Sequence, residues 1–235
     1  MTHRKMWLKL NSMPRRKTIF AIGEYYHIFN RSLYKRPIFV NNPDCKRAIT
    51  ALSYYRYPNP PHRLSYYLSF GVDKREDILI KLAKKDKLVE IISYCFMPNH
   101  YHLLLKQNLE NGISNFIRLF QNSYTRYFNT KYRSAGYLFE GQFKSKYVED
   151  ENYLLHLNRY IHLNPYSSHV IKDLNEIITY PYSSFSAYLK ESIDSFVSPE
   201  IITSQFKNKV EYRNFVLDYA DHQKELQRIK HLVLE

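Results

Sequence analysis

The amino-acid sequence predicts an α+β fold, in which an antiparallel sheet carries helices on one face and a helical appendage follows at the C-terminal end. A β-hairpin is the first indication, because an apolar strand over 87–96 meets a turn at Met97-Pro98-Asn99 and returns over 100–106. A long amphipathic helix is the second, since apolar residues recur every three or four positions between 113 and 132. Strand-like and helix-like segments alternate along the chain, which is typical of a sheet covered by helices.

The first part of the chain contains a basic arm, a strand and two helices. Lysines and arginines, among them Arg15 and Arg16, dominate the arm, and a second basic segment forms the turn after the strand. Asn42-Pro43-Asp44 is a helix-start signal, and the helix that it opens ends at a proline-rich loop. The predicted ranges are 1–20 for the arm, 24–30 for the strand, 31–36 for the turn, and 44–57 and 77–85 for the helices.

The second part of the chain is mainly helical. An extended segment over 137–148 has a kink at Gly141, and Asp150 caps a helix over 151–163 that ends at Asn164-Pro165. A short helix at 184–190 precedes a C-terminal region whose last part is charged and amphipathic. We therefore expect a basic arm, a main domain and a C-terminal helical extension, with the boundaries 1–20, 21–190 and 191–235.

The charge balance indicates a polyanionic partner. Among 235 residues, 35 Lys and Arg stand against 22 Asp and Glu, which gives a net charge of +13. Nucleic acid is the simplest partner for such a surplus, because no long apolar span argues for a membrane. Two cysteines are too few for a disulfide framework or a thiolate cage, and no signal-peptide core is visible, so we expect a cytoplasmic, nucleoid-associated protein.

The segment His100-Tyr101-His102 carries the most specific chemistry. On a strand, residues two apart point to the same face, so both imidazoles project side by side as potential ligands of a divalent metal ion. Tyr160 and Asn164 lie four residues apart and share a helix face if the helix extends that far. The amide oxygen of Asn164 suits Mg²⁺ or Mn²⁺, but a helix cap before Pro165 explains this asparagine equally well.

Four segments together resemble one family of DNA-processing enzymes. They are Met97-Pro-Asn-His-Tyr-His-Leu-Leu-Leu105, Phe139-Glu-Gly-Gln-Phe-Lys-Ser145, Asn158-Arg-Tyr-Ile-His-Leu-Asn-Pro165 and Tyr180-Pro-Tyr-Ser-Ser-Phe-Ser-Ala-Tyr188. The chain is similar over about 14–190 to the REP-associated tyrosine transposases, which are single-tyrosine HUH nucleases related to insertion-sequence transposases. Gln142 departs from the arginine of many relatives, and Tyr180 departs from their tryptophan.

This resemblance implies a ferredoxin-like (RRM-like) sheet with the histidine pair on a central strand. It also implies cleavage of single-stranded or hairpin DNA through a covalent 5′-phosphotyrosine, with a free 3′-hydroxyl left behind. Tyr160 would be the nucleophile, and His100, His102 and Asn164 would bind a divalent ion, Mg²⁺ or Mn²⁺. The long helix 113–132 and the segment around Lys144 and Lys146 would face DNA, and we expect a monomer rather than a homodimer.

The basic surface outside these motifs predicts further phosphate contacts. We expect the N-terminal arm, the turn after the first strand and the long helix to contribute them through Arg15, Arg16, Arg31, Lys35, Arg36 and Arg126. The alternative from another class is a non-catalytic RRM-like nucleic-acid-binding protein, although no RNP1-type run is present. A hydrolase of small phosphoesters ranks lower, because the sequence lacks the paired carboxylates of a two-metal site.

Overall fold

The computed structural model describes residues 18–190 and 196–233, with side chains described as far as residue 226. Most of the predicted basic arm, including Arg15 and Arg16, lies outside the described residues. Among these residues no helix is both long enough and apolar enough to span a membrane.

In the described part of the chain, the sheet contains four antiparallel strands in the order β2-β3-β1-β4. The strands are β1 (Tyr25–Arg31), β2 (Val89–Met97), β3 (His100–Gln107) and β4 (Lys144–Tyr147). Helices connect β1 to β2 and β3 to β4, so that β3 lies between β1 and β2 in the manner of a ferredoxin-like split βαβ arrangement. The predicted α+β class with an antiparallel sheet is therefore confirmed.

Three helices follow β1 and one long helix follows β3. They are α1 (Asn42–Tyr55), α2 (Leu64–Tyr67), α3 (Val72–Ala83) and α4 (Gly112–Lys131). Helix α4 packs on α1 and on the central strands, and the rings of Phe120 and Tyr101 lie 5.4 Å apart at this contact. Gly112 begins α4 against the backbone of Leu88, where a Cβ atom would collide with the carbonyl oxygen.

Helix α5 (Glu151–Ser167) covers the opposite face of the sheet. Its Tyr160 ring lies 5.6 Å from the ring of His102, whereas Tyr101, the neighbour of His102 on β3, points towards α4. The expectation of helices on a single face is thus corrected: α1 and α4 lie on one face, and α5 lies on the other. The reason is the composition of the central strands, which are buried on both sides and so need a helical cover on each.

The C-terminal helices pack against α5. They are α6 (Phe185–Leu189), α7 (Glu200–Thr203), α8 (Lys209–Leu217) and α9 (Ala220–Val233). The guanidinium of Arg159 on α5 lies 4.5 Å from the ring centroid of Phe215 and 3.9 Å from that of Tyr219. The Tyr212 hydroxyl donates to Asn158 over 2.7 Å at a buried position. The region after residue 196 therefore buttresses the helix that carries Tyr160.

Candidate active site

Strand β3 presents His100 and His102 to the face covered by α5. The ring of His102 meets the ring of Tyr160 edge-on, and the two histidine rings are 5.1 Å apart. Tyr101 points away from them and accepts a hydrogen bond at its hydroxyl from Gln121 on α4. The structure thus brings three of the sequence-predicted site residues together on one side of the sheet.

A hydrogen bond fixes the orientation of the His100 ring. Its Nδ1 lies 2.7 Å from Oδ1 of Asn99, while Nδ2 of Asn99 donates to the carbonyl of Lys35 over 3.0 Å. Because an amide oxygen only accepts, Nδ1 of His100 carries the proton in this pair. The lone pair of a neutral His100 is then on Nε2, which is the atom that a metal ion would bind. Burial, with a smaller contribution from Arg31, lowers the pKa of His100 to about 4 and favours this neutral form.

His27 contacts Nδ1 of His102, as Asn99 contacts Nδ1 of His100. Nε2 of His27 lies 2.9 Å from Nδ1 of His102, and both side chains are buried. The contact occupies Nδ1 of His102, so a metal ion would have to bind this ring through Nε2 as well. Burial, and to a lesser degree the nearby Lys146, lowers the pKa of His27 to about 4, so that the ring is neutral at pH 7.

The sequence analysis missed His27 because its role depends on strand pairing. Cross-strand pairing of β1 with β3 sets Phe29 opposite His102 and His27 opposite Leu104, which places all four on the face of α5. The local signal is weak, since one histidine that alternates with buried residues is ordinary in a half-buried strand. Only the register of the two strands identifies its partner.

Tyr160 is half-buried, and its backbone is held by two side chains. Nδ2 of Asn164 donates to the Tyr160 carbonyl over 2.8 Å, and Nε2 of Gln223 on α9 donates to the same oxygen over 3.1 Å. The helix does not end at Asn164, as predicted, but continues through Pro165 to Ser167. Asn164 is therefore an interior helix residue, almost fully buried, and its capping role is excluded.

The donor set fits a divalent ion in part. Two imidazoles on one rigid strand suit Mn²⁺ and similar ions, and an amide oxygen is a hard ligand that suits Mg²⁺ or Mn²⁺. The hydrogen bond from Nδ2 of Asn164 leaves its oxygen as the amide atom that would bind a metal ion. Within residues 18–190 and 196–233, no cluster of three or more His, Cys, Asp or Glu residues could hold a metal ion, and the predicted third ligand is the amide of Asn164.

Three of the predicted DNA-binding cations share this face of the sheet. Arg31 pairs with His100 across the strands, Lys144 with Phe29, and Lys146 with His27. Arg31 also forms an exposed ion pair with Glu140, in which its Nη2 donates to Oε1 over 3.1 Å. The amine of Lys146 lies 4.7 Å from the ring centroid of Tyr153 on α5, and a hydrogen bond to that phenol raises the pKa of Lys146.

The other predicted DNA-binding cations lie outside this group. Lys35 and Arg36 follow β1, and the guanidinium of Arg36 lies 5.3 Å from the ring centroid of Phe128 on α4. Arg126 is exposed on α4, which packs on the face of the sheet opposite α5. The predicted DNA-binding residues therefore divide between two surfaces of the protein.

Comparisons with known proteins point to one family. Residues 65–164 match the family model described as "Transposase IS200 like". A solved structure of a REP-associated tyrosine transposase bound to a REP hairpin is similar in fold, with a TM-score of 0.51 and 13% sequence identity. The match covers 79% of this chain and 91% of that one. A search of curated proteins found no match.

The matched segment contains the paired histidines, Tyr160 and Asn164, and the structural match extends over most of the fold. The resemblance to the IS200-like tyrosine transposases that the sequence motifs indicate is therefore confirmed.

Proposed function

We propose that the protein cleaves single-stranded DNA at hairpin-flanked sites and transfers the cut strand through a covalent intermediate on Tyr160. The observation that carries the proposal is the position of the Tyr160 ring, edge-on to His102 at 5.6 Å and on the same face as His100. The proposal is supported by a tyrosine on a packed helix beside two imidazoles on a rigid strand, because catalysis of phosphodiester cleavage depends on groups held in fixed positions.

The reaction consists of two exchanges at phosphorus. The phenol oxygen of Tyr160 would attack the scissile phosphorus and lose its proton, while the bond from phosphorus to the 3′ oxygen breaks and that oxygen takes up a proton. The products are a 5′-phosphotyrosine and a free 3′-hydroxyl. Attack of a 3′-hydroxyl on the phosphotyrosine would then restore the phosphodiester and release the tyrosine, which is strand transfer.

His100, His102 and Asn164 would hold a divalent ion, Mg²⁺ or Mn²⁺, whose contribution is to polarise the scissile phosphate. Asn99 and His27 would hold the two imidazoles with Nε2 directed to the ion. Such outer partners fix the tautomer and the orientation of a ligating histidine.

Arg31, Lys144 and Lys146 would bind the phosphates on either side of the cleaved bond, since all three lie on the sheet face of the histidines. Hairpin DNA is the proposed substrate, because the structural relative is bound to a REP hairpin and this chain is strongly basic. Lys35 and Arg36, on the loop after β1, would extend the cationic path, and a monomer would suffice for one such site.

A cleavage assay with hairpin single strands tests the proposal. Labelled hairpins with single-stranded flanks are incubated with Mn²⁺, with Mg²⁺ or with a chelator, and the products are separated on denaturing gels. We expect cleavage and a slowly migrating protein–DNA adduct with either metal ion, and neither product with the chelator or in His100→Ala. Hairpin binding without any cleavage would instead favour a non-catalytic nucleic-acid-binding protein.

A further inference from the structure

A proline interrupts the hydrogen bonding of α5 directly after Tyr160. Pro165 lies inside the helix and has no N–H group, so the carbonyl of Ile161 loses the backbone partner that it would have in a regular helix. An interior proline also bends a helix, because its ring collides with the carbonyl four residues earlier. Yet α5 continues to Ser167 and carries both Tyr160 and Asn164 beside this weakened turn. The turn therefore needs support from outside the helix.

Gln223 of α9 supports this turn from one side. It is buried, and its Nε2 donates one hydrogen bond to the carbonyl of Tyr160 and another to the hydroxyl of Ser167, each over 3.1 Å. Because an amide nitrogen carries two protons, both donors of Gln223 are used. Tyr166 adds a second link to α9, since its hydroxyl donates to Asp221 over 3.1 Å. Helix α9 thus holds α5 both before and after the proline.

Tyr212 of α8 holds α5 from a second direction. It is fully buried, and its hydroxyl donates to Oδ1 of Asn158 over 2.7 Å and lies 2.8 Å from Nδ1 of His162. Because the hydroxyl proton goes to Asn158, Nδ1 of His162 carries a proton and donates to the same oxygen. Burial lowers the pKa of His162 to about 3, so the ring is neutral and its Nε2 accepts from the hydroxyl of Ser184 over 2.8 Å. One hydroxyl therefore binds two consecutive turns of α5.

The hydrogen bonds of Asn158 and Ser184 continue to strand β2, and together with those of Tyr212 they form one network. Nδ2 of Asn158 donates to the hydroxyl of Tyr188 over 2.9 Å, and that hydroxyl donates to the carbonyl of Ile92 over 2.7 Å. Ser184 accepts from the amide of Tyr94 over 2.9 Å. These side chains are buried, where a polar group without its partner is costly. The network therefore fixes α8, α5 and β2 relative to one another.

The network and Tyr160 lie on opposite sides of α5. At about 100° per residue, Asn158 and His162 are each about 160° from Tyr160 around the helix axis. A rotation of α5 by about 10° would move a side-chain atom that lies about 6 Å from the axis by about 1 Å. A displacement of that size can lower the rate of a reaction between positioned groups by about a hundredfold. Tyr212 and Gln223 thus restrain a movement to which the phenol oxygen of Tyr160 is sensitive.

We infer that Tyr212 and Gln223 are positioning residues for the proposed cleavage reaction. They hold α5 in the rotation, and with the continuous turn, that direct the oxygen of Tyr160 at the scissile phosphate. Both act through α5 rather than through DNA or a metal ion. The inference rests on the proposed function, and it gives α8 and α9, which follow the residues matched by the transposase family model, a part in the chemistry of Tyr160.

The test separates the rate of cleavage from binding. Gln223→Met keeps the length of the side chain and removes both donors, and Gln205→Met makes the same change at an exposed position of the C-terminal region. Tyr212→Phe removes the hydroxyl at the centre of the network, and Tyr219→Phe, at an exposed tyrosine between α8 and α9, is its matched control.

Four measurements are made on each full-length variant. Circular dichroism verifies that it is folded, and fluorescence anisotropy with a chelator present gives its affinity for a hairpin with single-stranded flanks. Calorimetric titration gives its affinity for Mn²⁺. Single-turnover cleavage of the same hairpin at saturating protein and Mn²⁺ gives the rate constant of the chemical step, which a general loss of stability does not change in a protein that is folded and saturated.

We expect Gln223→Met and Tyr212→Phe to lower this rate constant by about tenfold or more, while both affinities stay within about twofold of the wild type. The two control variants should keep the wild-type rate. An unchanged rate constant in folded Gln223→Met would overturn the inference, and so would losses of affinity that match the loss of rate. If Tyr212→Phe does not fold, Gln223→Met decides between these results. Absence of cleavage by the wild type would instead overturn the proposed function, and this inference with it.

Discussion

At the scale of single residues, the candidate site is defined by which ring nitrogen of each histidine is engaged. Asn99 and His27 occupy the Nδ1 atoms of His100 and His102, so both rings would bind a metal ion through Nε2. A hydrogen bond at one ring nitrogen holds the orientation of an imidazole before a metal ion binds. Asn99 and His27, which are not themselves expected ligands, would therefore preorganise the predicted metal site.

Replacement of His27 tests whether its contact with His102 supports metal binding. We expect His27→Ala to weaken Mn²⁺ binding by roughly tenfold, because His102 loses the partner that orients it. His27→Gln, which retains a hydrogen-bonding group, should recover part of the loss. Calorimetric titration with Mn²⁺ measures the effect, and His62→Ala, in the loop before α2, is the matched control. Unchanged affinity in His27→Ala would show that the His27–His102 contact has no part in metal binding.

Asn164 is both a predicted metal ligand and a hydrogen-bond donor within its helix, and a second variant distinguishes these two roles. As a ligand it contributes its amide oxygen, and as a helix residue it donates to the carbonyl of Tyr160. Asn164→Ala should weaken metal binding more than hairpin binding. Gln223→Ala removes the other hydrogen bond to the same carbonyl and should leave metal affinity within about twofold of the wild type. If both variants lose metal affinity equally, Asn164 acts only by holding the helix.

Sequence reasoning reached the residues whose geometry is local. The shared face of His100 and His102 follows from strand periodicity, and the shared turn of Tyr160 and Asn164 follows from helical spacing. His27 and Gln223 could not be identified in this way, because each meets its partner through contacts between elements far apart in the sequence. The predicted roles of Tyr160 and of the metal ligands remain predictions that the experiments above address.

At the scale of elements, a buried carboxylate joins α1 to the end of α4. Asp44 is fully buried and accepts hydrogen bonds from Lys131, Tyr127 and Tyr132 at 2.6 to 2.9 Å. Burial alone would raise the pKa of Asp44, but the hydrogen bonds from Lys131 and the two phenols outweigh it and hold the pKa below its ordinary value. This cluster fixes the start of α1 against the end of α4.

The Asp44 cluster predicts acid sensitivity. Because the folded pKa of Asp44 is lower than its unfolded value of about 4, its stabilising contribution is present above about pH 4 and is lost as the pH falls through the folded pKa. Asp44→Asn should lower the free energy of unfolding by about 1–3 kcal/mol at pH 7. It should also reduce the loss of stability below pH 4 in urea titrations. An equal acid-induced loss in wild type and variant would contradict this role.

The helix boundaries show where local signals are insufficient. Proline usually ends a helix, and the sequence predicts an end at Asn164-Pro165, yet α5 continues to Ser167. Tertiary contacts hold the extra turn: Tyr166 donates to Asp221 over 3.1 Å, and Gln223 donates to Ser167 over 3.1 Å. These contacts come from α9, which no local pattern around Pro165 reveals.

At the scale of the whole molecule, the sheet separates two cationic surfaces. Arg31, Lys144 and Lys146 lie with the histidines on the α5 side. Arg126 lies on α4, which packs on the opposite face of the sheet. The sequence predicted a basic DNA-binding protein from its net charge, but the separation into two surfaces required the strand order. Composition fixes the amount of charge and the fold fixes its distribution.

The described cations predict a steep salt dependence of hairpin binding. Arg31, Lys35, Arg36, Lys144 and Lys146 would each displace counterions, at roughly 0.7 per phosphate on a single strand. The log–log slope of affinity against salt should therefore be roughly −3 or steeper. Lys144→Gln/Lys146→Gln should make it shallower by about 1.4 on the same basis. A flat response in the wild type would contradict phosphate binding by these residues.

The covalent adduct on Tyr160 is the most direct test of the central claim. The protein is incubated with a 5′-flanked hairpin and Mn²⁺, digested with protease, and the DNA-bearing peptide is identified by mass spectrometry. Tyr153→Phe, on the same helix and beside Lys146, is the matched control for Tyr160→Phe. We expect the adduct on Tyr160, its loss with cleavage in Tyr160→Phe at unchanged hairpin binding, and its persistence in Tyr153→Phe. Cleavage retained in Tyr160→Phe, or an adduct on another tyrosine, would contradict the account.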